Sequence, residues 1–142
     1  MRPIYPHENI LDRYLLANKL LGEAMPLIKN SVREYMTKDD IEYLDNLPDI
    51  VTIYRGTSID EAEGSVLGLG QSWTLDRTVA EFFSDTHYSQ YFKDRCIMKA
   101  TINKEFIFAY INVREEKECI VNFVKLENIS YEIRNVVNRN KK

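Results

Sequence analysis

Val51-Thr52-Ile53-Tyr54-Arg55 is the stretch on which the fold turns. Before it, apolar residues recur at helical spacing; after it, they come in short β-branched and aromatic runs. Four β-prone residues leading straight into an arginine read as a strand, with Gly56-Thr57-Ser58 as its exit. Upstream, Ile10, Tyr14, Ala17, Leu20, Leu21 and Ala24 are three or four residues apart along most of their run, which predicts a helix from Asn9 to Ala24. Pro26 suits the first turn of a second helix reaching about Met36. Thr37-Lys38-Asp39-Asp40 supplies an N-cap and first-turn acids for a third, short helix to Leu47, and Pro48 stops it.

Downstream, Gly64, Gly68 and Gly70 punctuate a loop, and Gln71 to Thr74 reads as a short strand. Asp76 caps a helix from Arg77 to Phe83, and the polar, aromatic stretch from Ser84 to Asp94 reads as a mobile loop. Cys96–Ile102, Phe106–Ile111, Glu118–Val124 and Ile129–Ile133 read as strands. Helices first and then mostly strands favours α+β over a doubly wound fold. The expected division is a helical layer over 1–48 that covers one side of a sheet, a β core over 49–135 and a basic tail over 136–142.

The chain has 142 residues, 44% of them hydrophobic, which suits one domain with its own core. A net charge of −3 argues against a large basic footprint for duplex nucleic acid. The ending Asn138-Arg139-Asn140-Lys141-Lys142 reads as a solvated tail. Cys96 and Cys119 lie inside apolar runs and are expected as buried thiols of a reducing compartment; without clustered histidines they build no zinc site. The start has no apolar signal-peptide core, and no stretch approaches about 18 consecutive apolar residues. The expectation is a cytoplasmic protein with no membrane partner.

The candidate chemistry is dispersed. On a strand, Glu116 and Glu118 share one face, with Cys119, Val121 and Phe123 on the core side. Two carboxylates on one side repel unless a cation or substrate lies between them, although a lone Glu-x-Glu is ordinarily a solvated face. Arg55 at a strand end offers a planar fork for phosphate or carboxylate; the plain alternative is a structural ion pair. Gly56 permits close approach of a ligand to the backbone. Ser72 and Thr74 share a face opposite Trp73, which reads as core. Phe82 and Phe83 read as core packing, while one of Phe82, Phe83, Tyr88, Tyr91 or Phe92 could stack on a planar ring. His7 and His87 have no partner spacing and read as surface residues. The Gly64-x3-Gly68-x-Gly70 spacing is not a phosphate loop.

Taken in order, these pieces resemble a known family. Tyr54-Arg55-Gly56-Thr57, then Gly70-Gln71-Ser72-Trp73-Thr74-Leu75-Asp76 with the helix Thr78-Val79-Ala80-Glu81-Phe82-Phe83, then Ala109-Tyr110-Ile111-Asn112 before Glu116-Lys117-Glu118-Cys119-Ile120-Val121 look like the Arg–Ser–Glu class of mono-ADP-ribosyltransferases, especially the small stand-alone domains of bacteria and their phages. The resemblance spans roughly residues 50–124. It departs from the family at Ser72-Trp73-Thr74, which stands where the family has Ser-Thr-Ser.

The resemblance implies a split β core of two small sheets, with NAD as substrate, no metal, and a target protein as acceptor. Arg55 would hold the pyrophosphate or ribose, Gly56 the nicotinamide amide, and Thr74 and Phe83 would complete the NAD site. Ser72 would orient Glu118, whose carboxylate would grip the ribose beside the breaking bond. Glu116 would serve an arginine acceptor, presented to the loop Asn112-Val113-Arg114-Glu115. Two alternatives stay open: a toxin that only hydrolyses NAD, and a non-catalytic copy of the fold that acts by docking onto a partner.

Overall fold

Residues 32–63, 72–87 and 94–134 are described in the structure, a computed structural model. The predicted helix from Asn9 to Ala24, the glycine loop around Gly64 to Gly70, Tyr88, Tyr91, Phe92, His7 and the basic tail lie outside these residues. So does most of the helix predicted after Pro26; its described end, Val32 and Arg33, is helical and turns at Glu34-Tyr35.

The third predicted helix is α1, Lys38–Asp45, and the Thr37 hydroxyl accepts from the Asp40 backbone N–H at 3.0 Å. That satisfies one of the orphan donors at a helix start. Leu44 enters the core, and Tyr43 stacks on Tyr110 with ring centroids 4.7 Å apart. Burial pushes the Tyr110 phenol up to about 12, so it stays neutral.

β1, Ile50–Ser58, runs through the expected exit. Arg55 therefore sits within a nine-residue strand rather than at a strand end. The reason is β3, Arg95–Asn103, which pairs antiparallel with β1 along its whole length, from Ile50↔Asn103 to Ser58↔Arg95. Tertiary pairing overrides the turn propensity of Gly56-Thr57-Ser58. A one-turn helix, α2 (Ile59–Ala62), follows, capped by the Ser58 hydroxyl on the Glu61 N–H.

β2 is Ser72–Thr74, and α3 is Arg77–Phe82 with Asp76 as N-cap, as the sequence predicts. The expected loop after it begins instead as a wider, π-helical turn, Phe83–His87. β4 is Ile107–Ile111, β5 Glu118–Val121 and β6 Glu127–Ile133. β5 stops three residues short of the expected end, because Asn122 caps a 3-10 turn, Phe123–Lys125.

The protein is mixed helix and strand, built on one six-stranded antiparallel sheet ordered β4-β5-β2-β1-β3-β6. One sheet therefore stands where two small sheets were expected, because β2 pairs with both β5 and β1. The junction of β2 with β1 is thin. Among the described residues β2 and β1 share one registered pair, Tyr54↔Thr74, whereas β2 and β5 are paired at every residue of β2.

One face of the sheet carries the core. Val51 and Ile53, Trp73, Cys96, Met98, Ala100 and Ile102, and Cys119 and Val121 bury together, each set alternating as strand geometry requires. The core side of β5 agrees with the sequence reading, and Trp73, 2% exposed, is core as expected. Cys96 and Cys119 are buried free thiols, both pushed up to about 12 by burial, which keeps them protonated and unreactive at neutral pH. Phe82 departs from the expectation: it is 55% exposed, on the outer side of α3. Among the described residues no helix is long and apolar enough to cross a membrane.

The Asp76 cap gives a test of this folding logic. Its Oδ1 accepts from the Thr78 N–H at 2.9 Å and the Thr78 hydroxyl at 2.6 Å, and these bonds lower its pKa. A carboxylate lowered in the folded state stabilises above its unfolded pKa, and that contribution fades as pH falls through the folded value. Asp76→Ala should cost about 1 kcal/mol near neutral pH. In denaturant titrations the gap from the wild type should narrow as the solution is made acidic; a gap independent of pH would mean that the charge is not what caps α3.

Candidate active-site cleft

Where β1 and β2 part, a cleft of about 410 Å³ opens, within the usual range for small-molecule sites. Tyr54, Arg55 and Gly56 of β1 and Ser72, Trp73 and Thr74 of β2 form its floor. Val79, Ala80 and Phe83 give an apolar wall, and Arg114, Glu116 and Glu118 come from the β4–β5 turn and the start of β5. Every residue that the sequence reading assigned to the site lines this cleft.

The junction explains the opening. The pair Tyr54↔Thr74 would be followed, in a continuing antiparallel ladder, by Arg55 opposite Trp73 and then Gly56 opposite Ser72, and neither pair is made. The Arg55 guanidinium spans the gap instead, donating from Nη1 to the Ser72 carbonyl at 2.8 Å. Its other edge is engaged by Glu61 of α2: Nε meets Oε2 at 2.7 Å and Nη2 meets Oε1 at 3.0 Å. The Thr57 hydroxyl donates to Oε1 as well, at 2.9 Å. Both side chains are mostly shielded, 16% and 12% exposed. The fork that the sequence reading offered to a phosphate is therefore held by a carboxylate of the same chain, in the bidentate geometry that arginine favours.

Ser72 faces the other way as well. Its hydroxyl donates to Glu118 Oε2 at 2.5 Å, across the β2–β5 pairing in which Thr74 lies opposite Glu118. Ser72 and Glu118, paired in the expectation, are thus hydrogen-bonded to each other.

Glu116 reaches the same cleft by a different route from the one expected. β5 begins only at Glu118, and Lys117 between the two has a left-handed backbone, φ 45, as does Glu115 at φ 60. Strand alternation does not apply across such a residue, so the shared placement comes from a turn. That turn is fastened at several points. Lys117 N–H donates to Asn112 Oδ1, Thr74 Oγ1 donates to the Glu116 carbonyl at 2.7 Å, and Leu75 N–H donates to the Lys117 carbonyl. Asn112 N–H in turn donates to Asp40 of α1. Thr74, expected in the NAD site, is buried and spends its hydroxyl on this turn. The Glu116 carboxylate makes no hydrogen bond or ion pair among the described residues, and Arg114 beside it is exposed.

Gly56 also has a reason that the sequence reading did not give. A Cβ there would lie 2.1 Å from the Ala80 carbonyl oxygen and 2.7 Å from the Ser84 nitrogen. The backbone that crosses closely is that of the α3 wall. The wall is riveted elsewhere by arginines: Arg77 to Glu132, buried Arg95 Nη1 to the Ser84 carbonyl, and Arg134 to Asp85. Phe83, at the start of the π-helical turn, is thereby held at the cleft, edge-on to Phe82.

Sequence reasoning missed Glu61 and Arg114. Glu61 carried a signal, since Ser58-Ile59-Asp60-Glu61 is a capping-box spacing, although that motif predicts a helix start rather than an arginine partner. Arg114 stood inside the loop named for the acceptor, without a role of its own. Compared with protein-family models, curated protein sequences and solved structures, the chain matches none.

Because the atoms that a Gly56 side chain would strike are backbone atoms, Gly56→Ala must displace α3. The expected loss is roughly 1–3 kcal/mol in urea unfolding, the usual cost of overpacking. An alanine variant as stable as the wild type would show that the α3 wall gives way freely.

Proposed function

We propose that the protein is an NAD-dependent mono-ADP-ribosyltransferase acting on an arginine of a target protein. The observation that carries this reading is the Ser72–Glu118 hydrogen bond inside a cleft that also holds Glu116. A carboxylate oriented by a serine, beside an apolar wall ending in Phe83, suits a ribose whose bond to a flat aromatic base is breaking. The sequence resemblance to the Arg–Ser–Glu class supports the same assignment.

In the proposed reaction the nicotinamide end of NAD enters between Phe83 and Gly56. The C1′–N bond breaks and its electron pair leaves with the base, which departs as neutral nicotinamide. The sugar becomes oxocarbenium-like, and the Glu118 carboxylate stabilises that charge and holds the ribose hydroxyl, as carboxylates do in glycoside cleavage. The acceptor guanidinium is protonated at neutral pH and a poor nucleophile. Glu116, with no partner among the described residues, orients it and takes the proton that it loses on bonding to C1′. Arg114, at the same turn, places a cation where the anionic pyrophosphate or an acidic target surface would pass.

Glu118→Gln keeps the shape of the side chain and removes the charge. Nicotinamide release should fall by a factor on the order of 10²–10⁴. Release at the wild-type rate from this variant would end the assignment, and absence of NAD turnover by the wild type would return the protein to a docking role. Glu116→Gln separates transfer from hydrolysis. Modification of arginine-containing targets should be lost while NAD hydrolysis is largely kept, since water needs less activation to capture an oxocarbenium centre. Measured on one preparation, equal loss of both activities would place Glu116 in the NAD site, and retained transfer would point to an acceptor other than arginine.

A further inference from the structure

The Arg55 guanidinium is held on one edge by Glu61 and ties β2 to β1 with the other. Glu61 is itself fixed from three sides, by Arg55 Nε, Arg55 Nη2 and the Thr57 hydroxyl, on a helix turn capped by Ser58. A planar fork locked in this way has no rotational freedom left, so Nη1 has one direction in which to point. That direction is the Ser72 carbonyl, at the place where the β1–β2 ladder lacks its next pair. The Ser72 hydroxyl then meets Glu118.

We propose that Glu61 is a positioning residue: acting through Arg55 and the backbone of Ser72, it sets where the Ser72 hydroxyl holds the Glu118 carboxylate. This inference rests on the transferase reading for its kinetic consequence, though not for its structural one. Glu61 is not among the residues that line the cleft. It acts because β2, although paired with β5 at each of its three residues, is joined to β1 by one registered pair among the described residues, so the Arg55 bond to Ser72 fixes where β2 and β5 together sit against Gly56 and the α3 wall. Displacements of about 1 Å at a reacting group can cost 10²-fold in rate. The competing account makes Glu61 a rival of the substrate, occupying an arginine that would otherwise bind phosphate.

Glu61→Gln distinguishes the two. Positioning predicts that kcat for nicotinamide release falls on the order of 10- to 100-fold, with KM for NAD within about twofold. Competition predicts a lower KM at unchanged kcat, and that result would overturn the proposal. In a double-mutant cycle, Glu61→Gln should add little on a Ser72→Ala background, because the path runs through that hydroxyl; additive losses would also overturn it. Thr57→Val, which keeps the ion pair and removes one hydrogen bond to Glu61, should shift kcat in the same direction by less. That milder variant decides the matter if Glu61→Gln does not fold.

Trp73, next to Ser72 and the only tryptophan, gives a readout without turnover. Acrylamide quenching of its fluorescence should rise in folded Glu61→Gln as β2 loosens. If the wild type turns over no NAD, the transferase reading fails alone and this measurement still judges the tie. Unchanged quenching would sink it.

Discussion

The arrangement depends on the bridge that Arg55 makes across an interrupted ladder. An antiparallel sheet normally ties neighbouring strands through successive backbone bonds. Between β1 and β2 that tie shrinks to one registered pair, and a side chain supplies the next one. A gap in a sheet exposes backbone donors and acceptors, which are costly if left unmet, so the bridging guanidinium satisfies the Ser72 carbonyl while leaving room beside it. The cleft is the space gained. Had the ladder continued, Gly56 and Ser72 would have closed it.

The surroundings of the cleft follow the same economy. The β4–β5 turn tolerates two left-handed residues because Asn112, Thr74 and Leu75 hold its backbone from three directions. The cost of such residues is typically about 1–3 kcal/mol each when the surroundings force them. The consequence is that Glu116 and Glu118, which on a continuous strand would be tied to one face by period alone, are each positioned separately. On the proposed reading that independence matters, since one carboxylate serves the sugar and the other the acceptor. The α3 wall is fixed in a complementary way, by close backbone contact at Gly56 and by arginines from β3 and the end of β6.

The engagement of Arg55 by Glu61 changes how an arginine in such a position is understood. A lone cation at a cleft suggests a direct grip on an anionic substrate. Here the same planar geometry is met bidentately by an internal carboxylate, mostly shielded from solvent, and the residue serves first as a brace. Its side chain starts on the core face, in line with Val51 and Ile53, which is why a partner from α2 rather than from the cleft mouth reaches its Nε edge.

The sequence by itself determined what depends on near neighbours. Thr37 and Asp76 as caps, α1 and α3, the inward face of Cys119 and Val121, and Trp73 as core were all legible, because capping and alternation act within a few residues. What spans long separations was decided only by the tertiary structure. The pairing of β1 with β3 carried the strand past Gly56, and the Arg55–Ser72 and Ser72–Glu118 bonds join residues 17 and 46 positions apart. The single sheet in place of two, the turn that delivers Glu116, and the choice of Glu61 as the partner of Arg55 belong to the same class. Each depends on which strands meet and where their register stops, and no local pattern encodes the point at which a ladder breaks.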